Sequence, residues 1–251
     1  AFLWSVGNFL KPQRFPLKRA GRFVDAGFVL LTLYLVARGV RAGFLPAIGA
    51  FSAMTIYLWC VALTYIILDR IFQLTFVLAF ITPLLLLFAL PSLFLDRSVP
   101  ELPPSFRSLW FILHMILGYM GYALVSLGFV VAIDALLVDR MLKRKRIGRL
   151  LESLPPMETL ERLLSILLSL SFPTFTVAVF FGLLWAHWVH EWAGGTWYTD
   201  PKILLSFLLW GYYGLLFLLR RRLGGRRLAY GMIGGFLLAV CAFVGILLFR
   251  K

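Results

Sequence analysis

Positive charge in this chain alternates from one link to the next between long apolar runs, and that alternation fixes both solvent and orientation. Seven runs reach bilayer-crossing length, at Phe23–Val40, Ala50–Ile67, Phe72–Leu95, Leu109–Leu137, Leu163–Trp185, Ile203–Leu219 and Leu228–Phe249. A helix needs about 17–20 apolar residues to cross a hydrocarbon layer ~30 Å thick. The N-terminus holds Lys11, Arg14, Lys18, Arg19 and Arg22, and the second link holds Arg70. The fourth link holds Arg140, Lys143, Arg144, Lys145, Arg146, Arg149 and Arg162, and the sixth holds Arg220, Arg221, Arg222, Arg226 and Arg227. These are eighteen of the 25 Lys and Arg; Arg38, Arg41, Arg97, Arg107, Lys202, Arg250 and Lys251 face the other way. Cytoplasmic loops carry the excess of cations, so the N-terminus is expected inside and the C-terminus outside.

The expected fold is therefore all-α: a polytopic transmembrane bundle of about seven helices. A chain that is 61% hydrophobic and 14% charged lies outside the range of soluble domains. The net charge of +14 would suggest nucleic acid in a soluble protein. Its placement on cytoplasmic loops points instead to topology and anionic head groups, so membrane lipid is the expected partner and nucleic acid is not. Residues 1–22 read as a basic interfacial segment, and residues 23–251 as one transmembrane domain without internal repeats. The run from Phe23 is too long for a cleaved signal and lacks a small-residue cleavage site.

Small residues mark close helix contacts: Gly231 and Gly235 form a GxxxG pair, and Gly118, Gly121 and Ser126 mark one flank of the fourth span. Pro83 and Pro173 fall inside spans, where they are expected to kink them. Cys60 and Cys241 lack metal or redox spacing and read as small core residues. Asp25 and Asp134 fall near cytoplasmic ends, within reach of neutralising basic loops.

Ionisable groups inside a membrane are costly, so each one is by default a functional candidate. His114 lies about five residues into the fourth span from the outside, roughly 8 Å deep. His187 and His190 stand at i, i+3 near the outer end of the fifth span. A neutral imidazole offers one lone pair to iron while its other nitrogen needs an acceptor, and a haem ring suits apolar, aromatic walls. The plainer alternative is a helix–helix hydrogen bond at His114 and an interfacial aromatic belt around the other two. The third outer link, 186–202, holds the densest chemistry, with Trp185, Trp188, Trp192 and Trp197 close together. These serve either as a belt or as a platform for a flat hydrophobic ligand. HxxHE is not the HExxH of a zinc protease, no phosphate-binding glycine motif is present, and no nucleophile stands beside a histidine and an acid.

The stretch Trp197-Tyr198-Thr199-Asp200-Pro201-Lys202, followed by Trp210 and Tyr213, resembles the tryptophan-rich WWD signature of the cytochrome c assembly family. That family includes the CcsA/ResC, CcmC and HemX-like proteins. Arg38-Gly39 through Phe44-Leu45-Pro46 resembles the family's first outer link, and His114 through Gly121-Tyr122-Ala123 its axial-histidine helix. Leu142-Lys143, Leu154-Pro155 and Glu158–Leu160 resemble the cytoplasmic hairpin of the HemX-like branch. The similarity covers about residues 20–249. It implies a haem-handling protein of a bacterial cytoplasmic membrane that holds haem b at an outer Trp-rich loop. His114 would be a ligand to the haem iron, and the apocytochrome c or a haem-delivery partner would dock outside. Trp192, Trp197, Asp200, Pro201 and Lys202 fall in the haem-presenting loop, with His187 or His190 as a substitute second ligand. Binding and positioning, rather than enzymatic bond making, is the implied activity.

Several positions depart from the signature. Thr199 and Ala193 stand where the signature has tryptophans, Ile203 where it has a glutamate, no histidine follows residue 190, and the short Ala1–Arg22 segment is expected in place of the family's N-terminal helix. Two other readings follow. One is a HemX-like regulator whose basic hairpin 140–162 contacts a soluble tetrapyrrole-synthesis enzyme; the other is a haem-free subunit of a larger membrane complex. The charge pattern makes a direct prediction: alkaline phosphatase fused within 186–202 is active, whereas the same fusion within 140–162 is inactive. The reverse pattern would overturn the assigned orientation.

Overall fold

The computed structural model describes residues 17–45, 47–98, 104–145, 154–193 and 201–248, which form seven α-helices and two short 3-10 turns and contain no strand. The helices are α1 (Leu17–Ala42), α2 (Ala50–Phe72), α3 (Leu78–Ser92), α4 (Leu109–Lys143), α5 (Met157–Ala193), α6 (Pro201–Leu219) and α7 (Gly225–Leu248). Five of them, α1, α2, α4, α5 and α7, are long and apolar enough to cross a membrane; α3 and α6 are shorter apolar helices. Together they form the polytopic helix bundle that the seven apolar runs predict. The N-terminal segment 1–16 lies outside the described residues, and the helix of the first span opens at Leu17.

The third run is the one the structure divides. The helix of the second span runs on to Phe72, and Gln73 ends it in the left-handed conformation (φ 54°), donating its N–H to the Asp69 carbonyl at 2.8 Å. The turn Thr75–Val77 follows, and α3 then has only 15 residues, about 22 Å of helix. An apolar run cannot reveal such a division, because every residue on both sides of the turn remains lipid-compatible.

α4 is the axis of the bundle. It packs most extensively on α5, then on α7 and α2, while α7 also closes on α6. Gly121 allows this: a Cβ there would lie 2.5 Å from the Phe175 ring of α5. Ser126, on the same flank, takes part in a 2.6 Å hydrogen bond with the buried Tyr57 hydroxyl of α2 and donates to the Tyr122 carbonyl. The GxxxG pair faces α6. A Cβ on Gly231 would sit 2.7 Å from Leu216, and one on Gly235 would sit 2.6 Å from the Tyr213 hydroxyl. Tyr212 donates to the Gly231 carbonyl at 2.8 Å across the same contact. By contrast, only 11% of the best α1 window is buried, so α1 presents most of its surface outward.

Pro83 and Pro173 both lie inside continuous helices, α3 and α5. Nearby hydroxyls turn back on the backbone: Thr82 donates to the Leu78 carbonyl, and Thr174 to that of Leu170.

Two sequence expectations are corrected here. Cys60 is fully buried, but Cys241 is exposed, because position 241 faces away from α4 and α6 rather than into the bundle. Asp25 meets Arg70 at 3.9 Å as expected. Asp134 is fully buried, and neither of its carboxylate oxygens has a hydrogen-bond partner, so the basic loops do not neutralise it. At the other end of the bundle α4 ends at Lys143, Lys145 adopts a positive φ of 51°, and residues 146–153 lie outside the described residues.

The small-residue contacts predict a graded response. Gly235→Ala forces the Tyr213 ring to shift and should destabilise the protein in detergent by about 1–3 kcal/mol. Gly211→Ala, where nothing lies within 4 Å, should leave the unfolding midpoint unchanged. Equal effects from the two variants would remove the close α6–α7 contact from the account.

Candidate haem site at the outer end of the bundle

The outer end of α4 starts cleanly: Ser108 caps it, its hydroxyl accepting from the Phe111 N–H at 3.3 Å. One and a half turns further in, the His114 imidazole reaches across to α5. Its Nδ1 lies 2.8 Å from the Ala178 carbonyl oxygen. A carbonyl can only accept, so Nδ1 carries the hydrogen and Nε2 keeps its lone pair. Metal-binding histidines are ordered in the same way, by a bond from the second nitrogen that fixes tautomer and ring plane.

The ring has a place because position 182 has no side chain. A Cβ on Gly182 would fall 2.6 Å from Nδ1 and 2.8 Å from Cε1 of His114, well inside contact distance. Glycine here therefore forms a cradle for the imidazole against α5.

His114 lines a cavity of about 460 Å³ between α4, α5, α6 and the first outer link. Ligand cavities typically measure about 300–1,000 Å³ and are mostly apolar with few polar groups. Met115, Gly118, Tyr119 and Tyr122 continue the α4 wall, Phe175, Ala178 and Trp185 form that of α5, and Ala47–Gly49 approach from the first outer link. Phe106, Phe111 and Trp185 close one end as a cluster, with ring centroids 4.9–5.1 Å apart. Trp210 of α6 lines the opposite wall and is oriented by donating to Thr176 at 3.0 Å.

The expected site residues divide into three groups. His114 lies in the cavity wall. His187 sits on α5 as expected, but it is exposed and is not part of the cavity lining. Trp188, of the supposed platform, is likewise exposed at 61%. His190 and Trp192 belong to α5 and Lys202 to the first turn of α6, but their side chains lie outside the described residues; Trp197 and Asp200 lie outside them altogether. Pro201 opens α6 and is exposed. Among the described residues no group of three or more His, Cys, Asp and Glu could hold a metal ion by itself.

Sequence reasoning missed Gly182, Phe106 and Phe111, and named Trp210 only as part of the signature. The aromatics carried no signal beyond that of any interfacial ring. Gly182 stands 68 positions from His114, and only tertiary packing brings the two together.

A haem group fits the residues present. The imidazole has a free lone pair and a fixed tautomer, its cradle would be filled by a single Cβ, and the adjoining space is walled by aromatic and aliphatic side chains.

Comparison with known proteins identifies the family of the chain. Residues 28–251 match the family model described as "Cytochrome C assembly protein". The chain is 26% identical over 272 residues to the "Cytochrome c biogenesis protein CcsA" of Synechococcus sp. (strain CC9902), covering 97% of this chain and 86% of that protein. It is 28% identical over 248 residues to the protein of the same name from Prochlorococcus marinus (strain MIT 9303), covering 87% and 77%. It is also 25% identical over 214 residues to "Protein HemX" of Brevibacillus brevis, covering 85% and 78%. A family match over most of the length, on a multi-pass helical bundle, makes the chain a member of the cytochrome c assembly family.

Proposed function

We propose that this protein binds and positions haem b at the outer end of its bundle, for transfer to an apocytochrome c or a haem-delivery partner. The cellular setting is a bacterial cytoplasmic membrane. One observation supports this above the rest: His114 has its Nδ1 committed to the Ala178 carbonyl and its ring set in a wall of the 460 Å³ cavity. A histidine kept only for helix contact would need the hydrogen bond but no adjoining space.

In this reading His114 Nε2 is the iron ligand, and the Ala178 carbonyl orients it and raises its basicity. Phe111, Tyr119, Phe175, Trp185 and Trp210 exclude water and hold the ring by area and stacking. Gly182 is the positioning residue for the imidazole. When bound, the group supplies a redox-active iron and the vinyl side chains by which haem is attached to a cytochrome. The chain contributes binding and orientation and makes no bond itself. In this reading Trp192, Trp197, Asp200, Pro201 and Lys202 would serve as the haem-presenting segment. His187 or His190 would serve as the second ligand.

A regulatory reading, with a soluble partner at the basic hairpin 140–162, draws on the similarity to "Protein HemX". Lys143 and Arg226 share the Asp139 carboxylate at 2.7 and 3.8 Å, which joins the end of α4 to α7 on that face. Co-purification of a soluble partner that depends on the hairpin would support this reading.

Two measurements test the haem reading. Purified protein titrated with haemin should develop a Soret band that is lost in His114→Ala and recovered in His114→Gly with added imidazole. Gly182→Ala, which pushes the ring from its cradle, should weaken haemin binding by about tenfold, or ~1.4 kcal/mol. Unchanged spectra in all three variants would leave His114 as a packing residue.

A further inference from the structure

Tyr119 and Tyr122 line the cavity on its α4 wall, together with His114. Among the described residues neither phenolic hydroxyl has a hydrogen-bond partner. Their rings are nonetheless fixed. Phe243 of α7 meets both edge-on, with centroids 6.5 Å from Tyr119 and 5.8 Å from Tyr122, and Phe175 meets Tyr122 in the same way at 5.7 Å. The i, i+3 spacing sets the two phenols on one side of α4. A hydroxyl held in an apolar wall without a partner forfeits a hydrogen bond until something in the cavity supplies one.

The space between these phenols and His114 is open. His114, Gly118 and Tyr122 stand at i, i+4 and i+8 on one stripe of α4, and all three line the cavity. A Cβ on Gly118 would meet nothing within 4 Å. The stripe is therefore a slot, with the Nε2 lone pair at its outer end and phenolic donors at its inner end. At 1.5 Å per residue, Tyr119 and Tyr122 lie about 7.5 Å and about 12 Å inward of His114 along the helix. These spans are comparable to the distance from a porphyrin's iron to its peripheral carboxyls. Ser206, the other hydroxyl of the lining, is already partnered, and among the described residues no Lys, Arg, Asp or Glu lines the cavity.

We propose that Tyr119 and Tyr122 recognise the carboxyl groups of the bound ring and so fix its rotation about the bond from iron to His114. The inference rests on the haem reading above. Haem b carries polar atoms at its iron and its two propionates, and the rest of its edge is hydrocarbon. With the iron on His114, the phenols are the cavity's open donors for propionate oxygens. The propionate edge then points along α4 toward the inner end. The vinyl-bearing edge points toward Phe106, Phe111 and the first outer link, the side from which an acceptor protein approaches. The two tyrosines are thus specificity-determining residues: they select carboxylated porphyrins and turn the vinyl groups outward.

The test titrates haemin and iron(III) etioporphyrin, whose edge carries only alkyl groups, into wild-type protein, Tyr119→Phe, Tyr122→Phe and the double variant. Loss of either hydroxyl should weaken haemin binding about tenfold, as expected for a lost hydrogen bond to a charged group, and leave etioporphyrin binding unchanged. The Soret maximum should stay in place, since the iron ligand is untouched, while the propionate bending band in the resonance Raman spectrum moves. Unfolding midpoints without ligand should match the wild type, because neither hydroxyl is bonded within the protein. Gly118→Leu, which fills the slot, should abolish binding of both porphyrins. Equal weakening of both ligands, or unchanged haemin affinity in the double variant, overturns carboxyl recognition while leaving haem binding intact. A lowered midpoint in the ligand-free tyrosine variants assigns the hydroxyls to the fold and also overturns it. Undiminished binding in Gly118→Leu places the ring away from the slot, with the same consequence. No Soret band with either porphyrin in the wild type overturns the haem reading and the proposal together.

Discussion

Inside hydrocarbon no water competes for a backbone amide, so every spanning segment must satisfy its own backbone, and a helix is the only open-chain solution. The remaining freedom lies in how the helices meet. Apolar side chains gain little by leaving lipid for one another, so specificity passes to close approach and to the few polar groups. In this protein α4 concentrates both. Gly121 brings it against Phe175, Ser126 ties it to Tyr57, and His114 ties it to the α5 backbone at Ala178. The long contact of α4 with α5 follows from these, and the tilted Phe111 and Trp185 rings meet at the outer end of the cavity between them.

The same contact explains how a site can be built with one histidine and many hydrocarbons. The hydrogen bond to Ala178 serves packing and chemistry together: it satisfies one imidazole nitrogen in an apolar wall and leaves the other with its lone pair. Gly182 makes the arrangement possible by absence. On the outer side, Arg38 and Arg97 lie over the Phe51 ring and Arg107 over that of Phe44.

Much of the fold was legible in the residues. All seven apolar runs became helices, because hydropathy over about twenty residues is a local property. The break at Gln73 was not, since a left-handed residue between two apolar stretches leaves no mark in hydropathy. Burial was read less well than topology. Cys241 and Cys60 sit in equally apolar surroundings along the chain, yet one faces outward and the other fills the core. Asp134 looked close enough to basic loops to be neutralised, but the helix rotation turns it into the bundle.

The sequence by itself determined the solvent and the seven apolar helices, set an expected orientation by charge, and marked His114 as an ionisable group inside a span. Its resemblance to the cytochrome c assembly family rests on motifs in their order, a property of the chain that needs no coordinates. Only the tertiary structure decided that His114 meets Ala178 and Gly182, that Trp185 and Trp210 wall a cavity while Trp188 faces out, and that Arg38 and Arg97 from distant links lie over one ring. Helical periodicity says which residues share a face. It does not say which face meets which, because in lipid every apolar face is equally at home until a missing side chain or a buried polar group selects its neighbour.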